Sequence, residues 1–342
     1  MARFTDLARK LTSIGAFAAA LSLSSPSRAE TLTFKLAHIY STSHYLSEHF
    51  IIELAKAIEA ESHGEMKFDI FPSGQLGKDV PALVGSGVVD IGFLPVSVYP
   101  QKFPLTSVSE LPGEINSSCS GTSKLWSLVK PGGILDSVEY RPQNLHVVAV
   151  GVTPPYYLFT QGRKVEKPSD INGLKIRTSG PAMDGTVTEL GGVSLKIVPS
   201  EIYDAVIRGT LDGVMLPYSS MAQYDLMKRL NHVLDGVPLG GGAVFFVMSA
   251  KKWNALSEKN KQIFTNQAVA AQKAFCQWAD DNQKVLQEEA SKLPGFSLNQ
   301  ASATDKAAFT TLLKAVANEW AGLMEKNGRK GDEVLKAFRE AE

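Results

Sequence analysis

The stretch GLKIRTSGPAMDG, residues 173–185, joins a short strand pattern to the start of a helix. Leu174 and Ile176 mark a short strand that ends in Arg177, and the small residues and proline that follow are typical of a first helical turn. No Asp or Glu stands within five residues of Arg177. The sequence therefore predicts an unneutralised cation at the carboxyl end of a strand, where open α/β sheets bind ligands.

Two interpretations of Arg177 are open from this local pattern. The first is an anion site that includes Ser179, because a guanidinium fork fits a carboxylate and a helix N-terminus adds free amides and the positive end of a dipole. The second is a structural salt bridge at the surface, which is the usual fate of an arginine.

The same alternation of strand and helix patterns runs along most of the chain. Apolar or alternating runs predict strands at residues 31–38, 66–71, 88–94, 145–152, 174–177, 194–198, 211–216 and 243–248. Helical spacing predicts helices at residues 45–61, 79–84, 182–190, 200–207 and 256–292. This order predicts an α/β fold with parallel-dominated sheets and helices on both faces.

The chain is long enough for two such units and crosses between them near residues 153 and 242. We therefore predict a two-lobed clamshell with hinge crossovers. Lobe I would comprise residues 30–152 plus 243–282, and lobe II residues 153–242 plus 283–342. The glycines before the second crossover, Gly240-Gly241-Gly242, are either a hinge or a plain flexible turn.

Two segments resemble each other across these units. LVGSGVVDIG, residues 83–92, and VIRGTLDGVM, residues 206–215, each combine a helix end, a glycine, a β-type pair and an aspartate. The similarity is either chance, since glycine often ends a helix, or a sign of equivalent βαβ units.

The N-terminal segment predicts export. A basic start, an apolar run at residues 11–23 and the small-x-small pattern Ser27-Arg28-Ala29 are typical of a signal peptide over residues 1–29. A membrane anchor is the alternative, but the apolar run is too short to span a bilayer. We therefore expect a soluble protein of the periplasm.

Composition excludes several classes of partner and site. Lys plus Arg equals Asp plus Glu at 35 each, so we expect no nucleic-acid partner. The two cysteines, Cys119 and Cys276, form either a disulfide or two buried thiols. No nucleophile motif and no metal spacing occurs among the histidines, so we expect no catalytic residue, metal or cofactor, and no enzyme.

Four motifs together resemble the DctP-type substrate-binding proteins of TRAP transporters, in order over nearly the whole mature chain. They are FPSGQLGKD, GSGVVDIGF, PSDINGLKIRTSG and PSEIYDAVIRGTLDG, which begin at residues 71, 85, 168 and 199. The resemblance implies a periplasmic-binding-protein clamshell with a long C-terminal helix bracing both lobes. It also implies an organic acid as ligand, held by Arg177, and delivery to small and large TRAP membrane subunits for uptake driven by an ion gradient.

The chain departs from the family pattern at three places. Tyr156 and Tyr157 stand where many members have a second arginine, and apolar residues occupy positions 94–96 and 214–217, where members of the family carry polar groups. A hydrophilic ligand would leave its hydroxyls without partners there, which costs free energy. We therefore predict a monocarboxylate with an apolar or aromatic body; a C4-dicarboxylate or a sugar acid is the alternative.

The predicted pocket follows from these departures. Arg177 would clamp the carboxylate, and Tyr156 or Tyr157 would contact the ligand body, since only one of two successive strand residues faces the cleft. His38 could offer one hydrogen bond, or be a core histidine with satisfied partners. The remaining predicted wall residues are Phe93, Pro95, Met215 and Leu216. A sensor or chemoreceptor instead of a transporter is the alternative partner, and an ABC-type binding protein is the alternative class.

Overall fold

The computed structural model describes residues 31–341, so the signal peptide predicted for residues 1–29 lies outside the described residues. The described strands form two sheets whose faces are covered by helices, and this confirms the predicted α/β class. No described helix has both the length and the apolar character needed to cross a bilayer.

The first sheet is built mainly from the N-terminal part of the chain. Its strands are β1 (Leu32–His38), β2 (Met66–Phe71), β3 (Ile91–Pro95), β4 (Leu145–Val152) and β10 (Ala243–Ser249). They lie in the order β2-β1-β3-β10-β4. The associated helices are α1 (Ile52–Glu61), α2 (Val80–Gly85) and α3 (Ser118–Val129). A π-helical turn, Ser47–Ile51, leads into α1, so the helix predicted for residues 45–61 is not one regular α-helix.

The second sheet is built from the middle of the chain and one later strand. Its strands are β5 (Tyr157–Thr160), β6 (Lys175–Thr178), β7 (Val193–Lys196), β8 (Gly213–Leu216), β9 (His232–Asp235) and β11 (Ser297–Gln300). They lie in the order β11-β9-β5-β8-β6-β7. The associated helices are α4 (Pro181–Glu189), α5 (Ile202–Ile207) and α6 (Tyr218–Gln223).

The internal sequence similarity marks equivalent units. In the first sheet β1 lies between β2 and β3, and in the second β6 lies between β7 and β8, with every pairing parallel. Asp90 and Asp212 make the same contacts in the two units. Each accepts a hydrogen bond at Oδ2 from a lysine backbone amide (Lys35 at 2.9 Å, Lys175 at 2.8 Å) and donates its own amide to that lysine's carbonyl. The two units therefore share one βαβ architecture.

Both sheets are mixed, and parallel pairings are in a narrow majority. Five of the nine strand pairings are parallel and four are antiparallel. All four antiparallel pairings involve β5 or β10, which enter their sheets directly from the other sheet. A strand that arrives in this way needs no helical crossover, so it is not constrained to run parallel to its neighbours.

The two crossover segments lie side by side. The amide of Thr153 donates to the carbonyl of Gly242 and that of Tyr156 to the carbonyl of Gly240, each at 2.8 Å. The glycines permit this approach: Gly240 has φ +115°, and a Cβ on Gly242 would come within 2.3 Å of the Tyr156 hydroxyl oxygen. The triple glycine is therefore a packed junction, and its role as a hinge stays a prediction.

One long helix contacts both halves of the molecule, where each half is one sheet with its associated helices. The predicted helix over residues 256–292 is α8 (Glu258–Ser291), which has 34 residues, and the short helix α7 (Ala250–Asn254) precedes it. On α8, Gln272 accepts the amide of Val150 in the first sheet, and Gln283 accepts the amide of Tyr218 beside the second. A disulfide between Cys119 on α3 and Cys276 on α8 settles the question that the sequence left open.

Two helices follow α8 and complete the described chain. They are α9 (Ala303–Lys326), which packs against α4, and α10 (Gly331–Glu340), which packs against α9 and α3. The long bracing helix is therefore not the last one. The exact lobe limits stay a prediction.

Candidate functional site

A cavity of about 240 Å³ lies between the carboxyl ends of strands from both sheets, next to the crossovers. At about 30 Å³ per liquid water molecule, it has room for about eight waters, which suits a small organic molecule. The walls are mostly aromatic and aliphatic. The lining residues that bear on the argument below are Tyr40, His44, Tyr45, Pro95, Ser97, Tyr156, Arg177, Ser179, Lys196, Leu216, Ser220 and Tyr224.

Arg177 lies at the cavity with only 4% of its surface exposed. It sits near the end of β6, paired on one side with Leu195 and on the other with Val214. Its Nε donates to the carbonyl of Ile197 at 3.0 Å. Within residues 31–341, no carboxylate lies within ion-pairing distance of this guanidinium. The predicted alternative of a surface salt bridge is therefore wrong.

The surroundings of Arg177 disfavour an unneutralised charge. Burial lowers the pKa of the Arg177 guanidinium, and the nearby phenols of Tyr156, Tyr224 and Tyr40 oppose that shift. Burial also raises the pKa of each of these phenols, so they are neutral hydrogen-bonding groups at physiological pH. Removing a charge from water without a partner is costly. An anion in the cavity would supply the missing partner.

A second cation lies at the cavity edge, but it already has a partner. The Nζ of Lys196 lies 3.0 Å from Oδ2 of Asp184, and the lysine side chain is largely exposed. The other carboxylate oxygen of Asp184 accepts a hydrogen bond from Thr178 at 2.6 Å. The charge of Lys196 is thus compensated, whereas that of Arg177 is not.

Five predicted site residues line the cavity: Arg177, Ser179, Tyr156, Pro95 and Leu216. The question of which tyrosine faces the cleft is answered by this lining, because Tyr156 is part of it. The hydroxyl of Ser179 donates to Sδ of Met183 at 3.3 Å.

Tyr157 and Met215 are not among the lining residues. Tyr157 follows Tyr156 in an extended segment and points to the opposite face, where its ring centroid lies 5.9 Å from that of Tyr218. Met215 precedes the lining residue Leu216 on β8 and is buried in the core of the second sheet. In both cases the alternation of strand side chains decides the placement.

Phe93 and His38 also lie outside the lining. Phe93 is fully buried and packs its ring against Phe50 and Phe246 in the core of the first sheet. His38 is buried at the end of β1, and burial lowers its pKa to about 4, so the imidazole is neutral. Its Nδ1 has no hydrogen-bond partner among the described residues, so the alternative of a core histidine with both nitrogens satisfied does not hold either.

Sequence reasoning missed a polar group at the cavity mouth. It comprises Tyr40, His44, Tyr45, Ser220 and Tyr224. The rule that ligands bind beyond strand ends could have found Tyr40, which stands two residues after β1. The others lie between β1 and the π-helical turn, or on α6 and directly after it, where no sequence pattern indicates which side chains face the cavity.

Two contacts join the two halves at the cavity. The hydroxyl oxygen of Tyr45 lies 3.4 Å from Oγ of Ser220, and Nε2 of His44 lies 3.3 Å from the hydroxyl oxygen of Tyr224. The arrangement can therefore bind a small anion and shield it from water. Among the described residues no group of three or more His, Cys, Asp or Glu side chains could hold a metal ion.

A family profile and a relative of known description match most of this chain. The profile of the bacterial extracellular solute-binding proteins, family 7 (DctP), matches residues 36–323. A protein of Comamonas testosteroni described as outer membrane transporter protein TsaT is 25% identical over 343 residues, which cover 97% of each chain.

Two solved structures are similar to this chain. A TRAP solute binding protein from Rhodoferax ferrireducens, in complex with copurified benzoate, has a TM-score of 0.80 at 20% identity and covers 90% of this chain and 97% of its own. A marine metagenome TRAP solute binding protein specific for aromatic acid ligands, in complex with metahydroxyphenylacetate, has a TM-score of 0.80 at 22% identity. The match covers 90% of this chain and 98% of the other. At these identities the similarity shows the fold alone.

Proposed function

The chain belongs to the DctP family of bacterial extracellular solute-binding proteins, and we propose that it captures a small monocarboxylate with an apolar or aromatic body. The observation that carries the proposal is the buried Arg177, which has no acidic partner among the described residues and borders the cavity between the two sheets. A ligand carboxylate would accept two parallel hydrogen bonds from the guanidinium fork. Closure of the cleft would remove water and strengthen that pair.

The walls of the cavity favour an apolar ligand body. Tyrosine and serine hydroxyls contribute to the lining, but most of its surface is apolar, including Pro95, Leu216 and the ring of Tyr156. A ligand with an apolar body therefore loses less hydration there than a sugar acid. The aromatic rings of Tyr40 and Tyr45 can pack against a ligand ring. The benzoate and aromatic-acid complexes of proteins with the same fold supply the candidate ligands.

A C4-dicarboxylate is the second candidate because Lys196 also borders the cavity. Binding of a second carboxylate there would have to displace Asp184 from its 3.0 Å ion pair with Lys196. We therefore rank the monocarboxylate first.

A binding screen separates these candidates. The mature protein is melted with benzoate, 3-hydroxybenzoate, mandelate, branched-chain acids, succinate and galacturonate. At a ligand concentration of about 100 times Kd, binding adds roughly 2.7 kcal/mol to the free energy of unfolding. We expect stabilisation by aromatic or branched monocarboxylates only. Stabilisation by succinate or galacturonate alone would contradict the proposal.

Delivery of the ligand is part of the same proposal. We expect the protein in the periplasm, where it would present the acid to small and large TRAP membrane subunits for uptake driven by an ion gradient. A sensor or chemoreceptor is the alternative partner. Deletion of the chain should abolish cellular uptake of the acid in the first case, and only the response to it in the second.

A further inference from the structure

One hydrogen bond joins the two halves beside Arg177. His44 comes from the segment between β1 and the π-helical turn, and Tyr224 directly follows α6. Their Nε2 and hydroxyl oxygen are 3.3 Å apart, and both side chains line the cavity. The contact therefore connects the first sheet's half to the second at the proposed ligand site.

The backbone determines which nitrogen of His44 carries the proton. The amide of Leu46 donates to Nδ1 of His44 at 3.2 Å, so Nδ1 is an acceptor. His44 is buried, and this burial, with a smaller effect of His38, lowers its pKa to about 3. A neutral imidazole that accepts at Nδ1 carries its proton on Nε2. His44 therefore donates to Tyr224, and the phenol oxygen accepts.

This direction leaves the Tyr224 hydroxyl proton available. A phenol can donate one hydrogen bond and accept others. Within the described part of the chain, His44 is the only hydrogen-bond partner of the Tyr224 hydroxyl. Burial raises the pKa of Tyr224, so the phenol keeps its proton, although the nearby Arg177 acts in the opposite sense. A carboxylate held by Arg177 would be within the same cavity as this donor.

We propose that His44 positions Tyr224 as a second hydrogen-bond donor to the ligand carboxylate, so that closure and ligand binding stabilise each other. The Tyr224 hydroxyl would bind the carboxylate together with Arg177, while accepting from His44 of the opposite half. In this role His44 acts through Tyr224 and is a positioning residue. The inference rests on the proposed function, since it needs a carboxylate at Arg177.

A double-mutant cycle tests this coupling. Benzoate and 3-hydroxybenzoate are titrated calorimetrically into the unsubstituted protein, Tyr224→Phe, His44→Phe and the double variant. Tyr203→Phe, an exposed tyrosine on α5, and His49→Phe, which stacks on Trp278 outside the cavity, are the matched controls. Ligand-free melting temperatures show whether each variant folds.

The proposal predicts a specific pattern of dissociation constants. Tyr224→Phe should raise Kd about tenfold, as loss of a hydrogen bond to a charged group does. His44→Phe alone should raise Kd roughly three- to tenfold. Added to Tyr224→Phe, the same substitution should raise Kd less than about twofold, because His44 acts through the Tyr224 hydroxyl. His44→Gln, whose side-chain amide can donate from a similar position, should recover most of the affinity.

Other outcomes overturn the inference. Equal effects of His44→Phe with and without the Tyr224 hydroxyl would show that the two residues act independently. A His44→Gln variant as weak as His44→Phe, while melting like the unsubstituted protein, would exclude the donor role. Arg177→Ala separates this failure from failure of the proposed function: if Arg177→Ala abolishes binding but the cycle shows no coupling, only the inference fails. If none of the aromatic or branched monocarboxylates of the binding screen binds the unsubstituted protein, both fail.

Discussion

Gly180 and Ser97 touch across the cleft, and a Cβ added to Gly180 would lie 3.0 Å from both Cβ and the carbonyl oxygen of Ser97. Gly180 precedes α4 of the second sheet's half, and Ser97 follows β3 of the first. The φ of Gly180 is −171°, an extended value open to any residue. Steric closeness of the two halves, not backbone conformation, thus favours glycine at this position.

Gly180→Ala should weaken ligand binding without destabilising the open protein. The methyl group would push the two halves apart by a few tenths of an ångström, so we expect Kd for benzoate to rise roughly three- to tenfold, about 0.7–1.4 kcal/mol. Titration calorimetry measures this change. Gly185→Ala on α4 is the control, since its Cβ would meet no atom closer than 3.7 Å. Equal Kd values for both variants would show that the cleft does not close at Gly180.

Glu110 should make the protein less stable at alkaline pH. It is buried beside the crossover, and burial raises its pKa to about 8, more than the nearby amides of Ala243 and Ser97 lower it. The unfolded carboxyl titrates near 4.5. Between these values the folded state binds more protons than the unfolded state, so the free energy of unfolding falls as pH rises through this window.

Urea unfolding at pH 7 and pH 9 measures the effect. Between pH 7 and pH 9 the free energy of unfolding should fall by about 1 kcal/mol less in Glu110→Gln, whose side chain stays neutral, than in the unsubstituted protein. The pKa values of His38 and His44 are lowered from 6.5, so these residues change stability only below pH 6.5 and do not affect the comparison of pH 7 with pH 9. Glu53→Gln, at an exposed position on α1, is the control. A pH dependence that Glu110→Gln leaves unchanged would contradict the assignment.

The disulfide should stabilise the fold without shaping the ligand site. Cys119 and Cys276 close a loop with a sequence separation of 157 residues, and neither lines the cavity. Replacing both by serine should lower the free energy of unfolding by about 2–4 kcal/mol. Kd for benzoate should change less than twofold. Thermal melting checks the loss of stability, and calorimetry checks Kd. A large rise in Kd at unchanged stability would contradict both predictions.

Most of the strands and the candidate arginine could be predicted because they depend on local sequence patterns. The strands β2 and β4 match the predicted limits of 66–71 and 145–152, since alternating and continuous apolar runs mark strands. Arg177 could be found because it follows such a run with no acid nearby. Its burial and the residues opposite it depend on contacts between segments far apart in sequence.

The predicted walls were less accurate for a physical reason. An apolar strand residue fits a core face and a cavity wall equally well, so sequence alone does not separate Met215 from Leu216 or Phe93 from Pro95. The antiparallel entry of β5 and β10 depends on the path of the crossovers. The Tyr224–His44 pair joins residues 180 positions apart and has no local signal.

Titration of the tightest-binding monocarboxylate into the unsubstituted protein, Arg177→Lys and Arg177→Ala tests the central claim most directly. A lysine keeps the charge but loses the fork, so we expect a Kd at least about tenfold higher, roughly 1.4 kcal/mol, and no measurable binding to the alanine variant. The ligand-free alanine variant should melt no lower than the unsubstituted protein, because it removes a buried charge without a partner. Undiminished affinity in Arg177→Ala would place the carboxylate elsewhere and contradict the account.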